Sequence, residues 1–361
     1  MMFIKHSIKT AMAAVVFLAA ATILFTGCGD DGGSVDPGID AQVSDASHID
    51  SSIQTDGGTD PLFDAEVDSG VDRDPAEPLF EQAASYEITI EGPDDPATVY
   101  YPNPPDLHSG GYSFPIALFL QGAKVERKHY SEFASLLARY GFVVVVPDHM
   151  KTGLMGTDLY PETQQIEQVL EQMIEENGGS GTLAGLLDTD TMVVLGHSYG
   201  GVAGLYGIQD ECNFGFCSGG FSRPVALAGG AFFGTNMKPP IGSIPEVKND
   251  SLPVAYIQGT LDDKAMLADT IETYQKTQDP PKMLVELIGA NHYGICNQNN
   301  PPGADADSNT PTIQQAVAIE TTARWSALFL RATVLDDLDA LDYIGSTGQT
   351  SDTNVSITWQ P

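Results

Sequence analysis

Thr191-Met192-Val193-Val194-Leu195-Gly196-His197-Ser198-Tyr199-Gly200-Gly201-Val202-Ala203-Gly204-Leu205-Tyr206 is the stretch that decides the fold. Its first five residues are apolar and partly β-branched, which predicts a short buried strand. Gly196 to Gly200 fits the pattern G-x-S-x-G, a nucleophile elbow. The residues from Gly200 to Tyr206 predict a closely packed helix. A strand that turns this sharply into a helix strains its middle residue. Glycines two positions before and two after Ser198 leave room for the turn. The serine oxygen then stands above the sheet at a helix N-terminus, where backbone N–H groups can hold an oxyanion.

A serine hydroxyl is a weak nucleophile at neutral pH and needs a base, which in turn needs an orienting acid. Around such an elbow the chain order is Ser, acid, His. Leu252 to Gly259 predicts a strand ending in a glycine turn, followed by Thr260-Leu261-Asp262-Asp263. The spacing from the glycine favours Asp262 as the acid and leaves Asp263 as a solvated turn residue. Met283 to Ile288 predicts the next strand, followed by Gly289-Ala290-Asn291-His292. His292 is the base by position and also by elimination. His6 and His48 lie in the leader and a linker, His108, His129 and His149 precede the serine, and His197 should point away from it.

The rest of the folded part alternates strands and helices. Tyr86–Ile90 and Ala97–Tyr101 predict two edge strands, and Phe114–Leu120 and Phe142–Val146 predict buried ones. Pro224–Ala228 predicts a further strand. Helices are expected at Ser131–Tyr140, from Pro161 to about Glu176, at Lys264–Tyr274 and at Pro311–Arg331. This order implies a doubly wound, mostly parallel α/β sheet with helices on both faces. Ligands of such sheets bind at the carboxyl ends of the strands, where Ser198, Asp262 and His292 all fall. Met150, Leu154, Met155 and Tyr160 follow a strand and are pocket-lining or packing residues. Asn297 to Thr310, with Asp305 and Asp307, is expected to be surface.

Composition divides the 361 residues into three zones. Residues 1–27 carry Lys5, His6 and Lys9 and then an apolar run from Ala11 to Phe25, too short to span a membrane and suited to a signal peptide. The run ends Phe25-Thr26-Gly27-Cys28, which resembles the lipobox of bacterial lipoproteins and implies lipidation of Cys28. Residues 28–78 form an acidic, Gly/Ser-rich tether with 14 acidic residues and one basic residue. It holds too little apolar surface to offset the entropy of ordering, and its aspartates lack the D-x-D-x-D-G pattern of a calcium loop. Residues 79–361 are long enough for one domain with a large core. The chain's net charge is −33, of which −22 falls on this domain. That weighs against nucleic acid and other anionic partners. Cys212 and Cys217 can close a short loop in an oxidising compartment, although pairing of Cys296 with either stays open. No Cys/His spacing predicts a metal site.

Leu118 to Gly122, Leu136 to His149 and Gly196 to Gly201 together resemble the α/β-hydrolase superfamily, in its chlorophyllase-like and polyester-hydrolase-like branch. The likeness covers roughly residues 85–335. It implies hydrolysis of carboxylic esters without a cofactor, with Ser198, His292 and Asp262 as the triad and the amides of Ala123 and Tyr199 as the oxyanion hole. Family members carry His-Gly where this chain has Gln121-Gly122, and the Ala at 123 removes an aromatic that polyester hydrolases place beside the substrate. The expectation is a monomeric, lipid-anchored, extracytoplasmic serine esterase acting on a small or lipid-like ester. Its rivals are an amide or peptide hydrolase on the same residues and a non-catalytic binding protein on the same fold.

Overall fold

The computed structural model describes residues 74–153 and 156–361. The leader, Cys28, nearly all of the tether, Leu154 and Met155 lie outside them. Nine strands form one sheet in the order β1-β2-β4-β3-β7-β8-β9-β10-β11. They are β1 (Ala83–Ile90), β2 (Asp95–Pro102), β3 (Phe114–Leu120), β4 (Val143–Pro147), β7 (Leu187–His197), β8 (Leu227–Phe233), β9 (Val254–Gly259), β10 (Lys282–Leu287) and β11 (Val355–Gln360). Strands β4, β3, β7, β8, β9 and β10 run parallel to one another. The antiparallel pairings are β1 with β2, β2 with β4, and β10 with β11. A separate hairpin, β5 (Met150–Gly153) with β6 (Gly156–Leu159), leaves the end of β4.

The central strands are buried on both faces, as their unbroken apolar runs require. Side chains alternate between two cores. Ala117, Phe119, Val144 and Val146 join Phe133, Leu137, Trp325 and Phe329 on one side. Ile116, Leu118, Val143 and Val145 join Ile166, Val169, Leu205 and Phe232 on the other. The first core takes helices α1 (Ser131–Arg139) and α5 (Gln315–Val334). The second takes α2 (Gln165–Gly178), α3 (Tyr199–Ile208) and α4 (Leu267–Lys276). Two short helices, α6 (Leu338–Gly345) and α7 (Gly348–Ser351), precede β11. The chain therefore has the doubly wound α/β fold expected of it. Among the described residues no helix is long and apolar enough to cross a membrane.

Several element boundaries differ from expectation, and each shift has a tertiary cause. Helix α2 begins at Gln165 because Glu162 and Thr163 are bonded elsewhere: Thr163 N donates to Phe216 O, and the Glu162 carboxylate accepts from His149 and Ser218. Helix α4 begins at Leu267 because the Lys264 and Ala265 amides donate to Asp262 Oδ1. Helix α5 begins at Gln315 because the Thr312 and Ile313 amides donate to Gly289 O. Strand β8 starts three residues late, at Leu227, and runs through Gly229 and Gly230. A Cβ on Gly230 would lie 2.7 Å from Val194 O, so the glycine permits close strand pairing. Strand β2 is interior rather than an edge, and β11 had no counterpart in the expected strands. Pro75 and Ala76, within the expected tether, are bonded to the fold through Arg331 and the Tyr140 hydroxyl.

Candidate active site

Ser198 is the N-cap of α3, at φ 55 and ψ −119. A positive φ is costly for a residue with a side chain. Here it is held by packing on both sides. Ser198 N donates to Phe233 O at 2.9 Å, and Thr235 Oγ1 donates to Ser198 O at 2.6 Å. A Cβ on Gly200 would overlap the Leu120 carbonyl, and one on Gly196 would meet Gly200 C at 2.5 Å. The two elbow glycines thus let the end of β3 and the start of α3 press against the turn. Ser198 Oγ has no hydrogen-bond partner among the described residues.

Asp262 and His292 follow β9 and β10 and meet across the ends of those strands. His292 Nδ1 lies 2.8 Å from Asp262 Oδ2, and both residues are buried. The carboxylate is fully engaged. Its Oδ2 also accepts from Gln258 Nε2 at 2.9 Å, and its Oδ1 accepts from the Lys264 and Ala265 amides at 2.8 Å each. Nδ1 therefore carries a proton and donates it to the carboxylate. Nε2 makes no protein hydrogen bond among the described residues. Gly234, at φ +58, closes the floor: a Cβ there would lie 3.1 Å from His292 Nδ1 and 3.2 Å from Asp262 Oδ2. Asp263, expected as a solvated turn residue, instead accepts from Ser308 N at 2.8 Å and from the Ser308 hydroxyl.

Ala123 lies just past β3, beside the elbow, and Tyr199 is the first residue of α3. Neither amide has a protein acceptor among the described residues. The first turn of a helix has such free donors by construction. The loop carrying Ala123 is tied down on both sides. Lys124 N donates to Leu159 O of the hairpin at 2.8 Å, and Gly122 N donates to Tyr130 Oη at 2.9 Å.

Tyr130 and His197 extend that second tie into a chain of donors, one that the sequence did not reveal. His197 Nε2 lies 2.8 Å from the carbonyl of His292, an atom that can only accept, so Nε2 carries the proton. Nδ1 must then accept, and the Tyr130 hydroxyl donates to it at 3.0 Å. The path runs from the Gly122 amide through Tyr130 and His197 to the backbone of His292. Burial, with His292 close by, pushes His197 well below the usual imidazole range, against the hydrogen bond to that carbonyl. The ring stays neutral, as its place in the chain demands. The His197 ring also packs against the His292 ring, with centroids 4.7 Å apart.

Asp307 was also missed. The stretch 297–310 is largely exposed, as expected, but Asp307 is only 4% exposed. Its Oδ2 accepts from His292 N at 2.9 Å. Two acidic residues amid Ser and Asn signalled only a turn. On the opposite rim, the half-exposed Tyr199 ring leans on Phe216 and Tyr160, with centroids 5.5 and 6.2 Å away. Phe216 sits in a loop closed by the Cys212–Cys217 disulfide, and Cys296 is a free, buried thiol. Below the hairpin, His149 lies between Asp95 at 2.6 Å and Glu162 at 3.1 Å, and Lys151 reaches Glu162 at 2.7 Å.

A serine on a strained turn, an imidazole bonded through Nδ1 to a buried carboxylate, and two unpaired amides are the parts that acyl transfer needs. Comparison with known proteins bears on this geometry. A family model described as Chlorophyllase matches residues 87–265, which include Ser198 and Asp262 and stop short of His292. No curated protein matches the chain. Over residues 87–265 the chain is similar to the chlorophyllase family, a family of the α/β-hydrolase kind.

Proposed function

We propose that the protein is a serine hydrolase of carboxylic esters. The observation that supports this is the 2.8 Å contact between His292 Nδ1 and the buried Asp262 carboxylate, on loops that follow strands of the same sheet as the Ser198 elbow. In the first step Ser198 Oγ attacks the acyl carbon and its proton passes to His292 Nε2. Asp262 holds the ring and stabilises the imidazolium. The carbonyl oxygen becomes an oxyanion and takes hydrogen bonds from the Ala123 and Tyr199 amides, each donor contributing a few kcal/mol. The bond to the alcohol oxygen then breaks, and His292 returns its proton to the departing alcohol. A water molecule repeats the sequence on the acyl-enzyme, releasing the acid and restoring Ser198.

Paired p-nitrophenyl esters and p-nitroanilides of short and long acyl chains test this. Hydrolysis of the esters, with loss of roughly 10⁴-fold or more in kcat for Ser198→Ala and for His292→Ala, is the expected result. Cleavage of the anilides alone would favour the amidase reading. No turnover of either would favour a binding protein. Placement at a bacterial cell envelope through a lipidated Cys28, with residues 28–78 as a tether, belongs to the same proposal and rests on the leader's composition. Cys28→Ser should then release the protein from membranes, and an unmodified Cys28 in membrane-bound protein would refute the anchor.

A further inference from the structure

Asp307 joins the two loops that carry the acid and the base. Its Oδ2 accepts from His292 N at 2.9 Å and from Asp263 N at 3.2 Å. Its Oδ1 accepts from Asn309 N at 2.7 Å. Its own backbone is seated by Asn300, which accepts from Asp307 N at 2.9 Å and donates to Asp307 O at 3.2 Å. The neighbours of Asp307 repeat the connection. Asn309 Nδ2 donates to Leu261 O of the acid loop, Asn291 Nδ2 of the base loop donates to Asn309 O, and Ser308 is bonded to Asp263. One short segment therefore spans both catalytic loops, with a buried carboxylate at its centre.

We infer that Asp307 is a positioning residue for the triad, fixing the His292 ring against Asp262 by gripping the backbone next to each. This rests on the esterase reading for its kinetic consequence and on geometry alone for its structural one. The chemistry asks specifically for a carboxylate. Three amide donors converge on its two oxygens, and only an acceptor-only group satisfies all three. An asparagine of the same shape would turn an NH₂ toward at least one of those N–H groups and leave it unpaired. Acyl transfer is sensitive to such loosening, because a misplacement of about 1 Å can cost about 100-fold in rate.

The test uses Asp307→Asn, with Asp305→Asn as the control for charge. Asp305 is exposed, and only its backbone carbonyl is bonded. For Asp307→Asn, kcat should fall about 10- to 100-fold with KM nearly unchanged, and Asp305→Asn should behave as wild type. A readout independent of substrate is the low-field proton resonance of His292 Nδ1–H in its bond to Asp262. It should broaden or move upfield in Asp307→Asn and stay in place in Asp305→Asn. If Asp307→Asn fails to fold, Asn300→Gly takes its place. Asn300 has φ 51, which glycine tolerates, so this change removes only the two side-chain bonds that seat Asp307. It should shift the same resonance in the same direction. An unchanged resonance and unchanged kcat in the folded variant would overturn the inference, as would equal losses in Asp307→Asn and Asp305→Asn. A wild-type protein that turns over no ester would refute the esterase reading, while the resonance would still decide the role of Asp307.

Discussion

Tyr130→Phe removes one oxygen and cuts the link between the loop of Gly122 and Ala123 and the loop of His292. The hydroxyl is fully buried and serves two partners, Gly122 N at 2.9 Å and His197 Nδ1 at 3.0 Å. Phenylalanine fills the same space, so the change makes no cavity for the ring's neighbours, Phe119 and Phe133, to collapse into. What remains is two polar groups without partners. Each costs about 1–3 kcal/mol when buried and unsatisfied, which gives roughly 2–6 kcal/mol for the pair. In a domain of this size each kcal/mol lowers Tm by about 2–4 °C, so a drop of roughly 4–24 °C is expected. The kinetic effect follows from position. Gly122 immediately precedes Ala123, one of the two proposed oxyanion donors, and complete loss of such a donor costs about 10²–10³ in kcat. A displaced donor keeps part of that contribution, so kcat should fall roughly 10-fold with little change in KM. Urea denaturation and steady-state kinetics on the same preparation measure both numbers. Stability within about 0.5 kcal/mol of wild type, the scatter of a change that touches no buried partner, together with unchanged kcat, would refute the donor chain.

Three further outcomes follow from the same structure. Burial opposes charge on His149, but Asp95 and Glu162 outweigh it and hold the imidazole above its ordinary value. That stability is full below about pH 6.5 and is lost as pH rises through the folded value. Denaturation of wild type and His149→Gln at pH 5.5 and pH 9 (about one unit below and well above the ordinary value) should give a gap that shrinks at the higher pH, and a constant gap would count against the ion cluster. Gly200→Ala should abolish activity and destabilise the fold by about 1–3 kcal/mol or more, because its methyl group would strike the Leu120 carbonyl; a well-folded, active variant would rule out the tight elbow. Cys212→Ser with Cys217→Ser should lower stability by about 2 kcal/mol for so short a loop, read by thermal unfolding with and without reductant. Indifference of the wild type to reductant would mean that the pair is not bridged.

The elbow was legible in the sequence because everything it needs is local. An apolar β-branched run, two glycines at fixed offsets and a small-residue helix occupy sixteen consecutive positions, 191–206. Asp262 and His292 were legible for a related reason: each closes a strand whose apolar period is visible, and a parallel sheet brings successive strand ends to one edge. Helix starts were less legible. Lys264 and Ala265 have ordinary helix propensity, and what withholds them from α4 is an Asp262 oxygen that takes both their amides.

The sequence by itself determined the alternation of strands and helices and the strand ends after which Ser198, Asp262 and His292 lie. Those follow from periodicity and chain order, which are properties of neighbouring residues. Only the tertiary structure decided what holds these groups still. Tyr130 meets His197 across 67 positions, His197 meets the His292 carbonyl across 95, and Asp263 meets Asp307 across 44. A buried hydrogen bond between distant loops leaves no periodic trace. Its partners are single polar residues, chosen by where the folded backbone leaves an amide unsatisfied. Asp307 looked like one more surface acid in a chain of net charge −33, until the fold placed the amides of His292 and Asp263 in front of it.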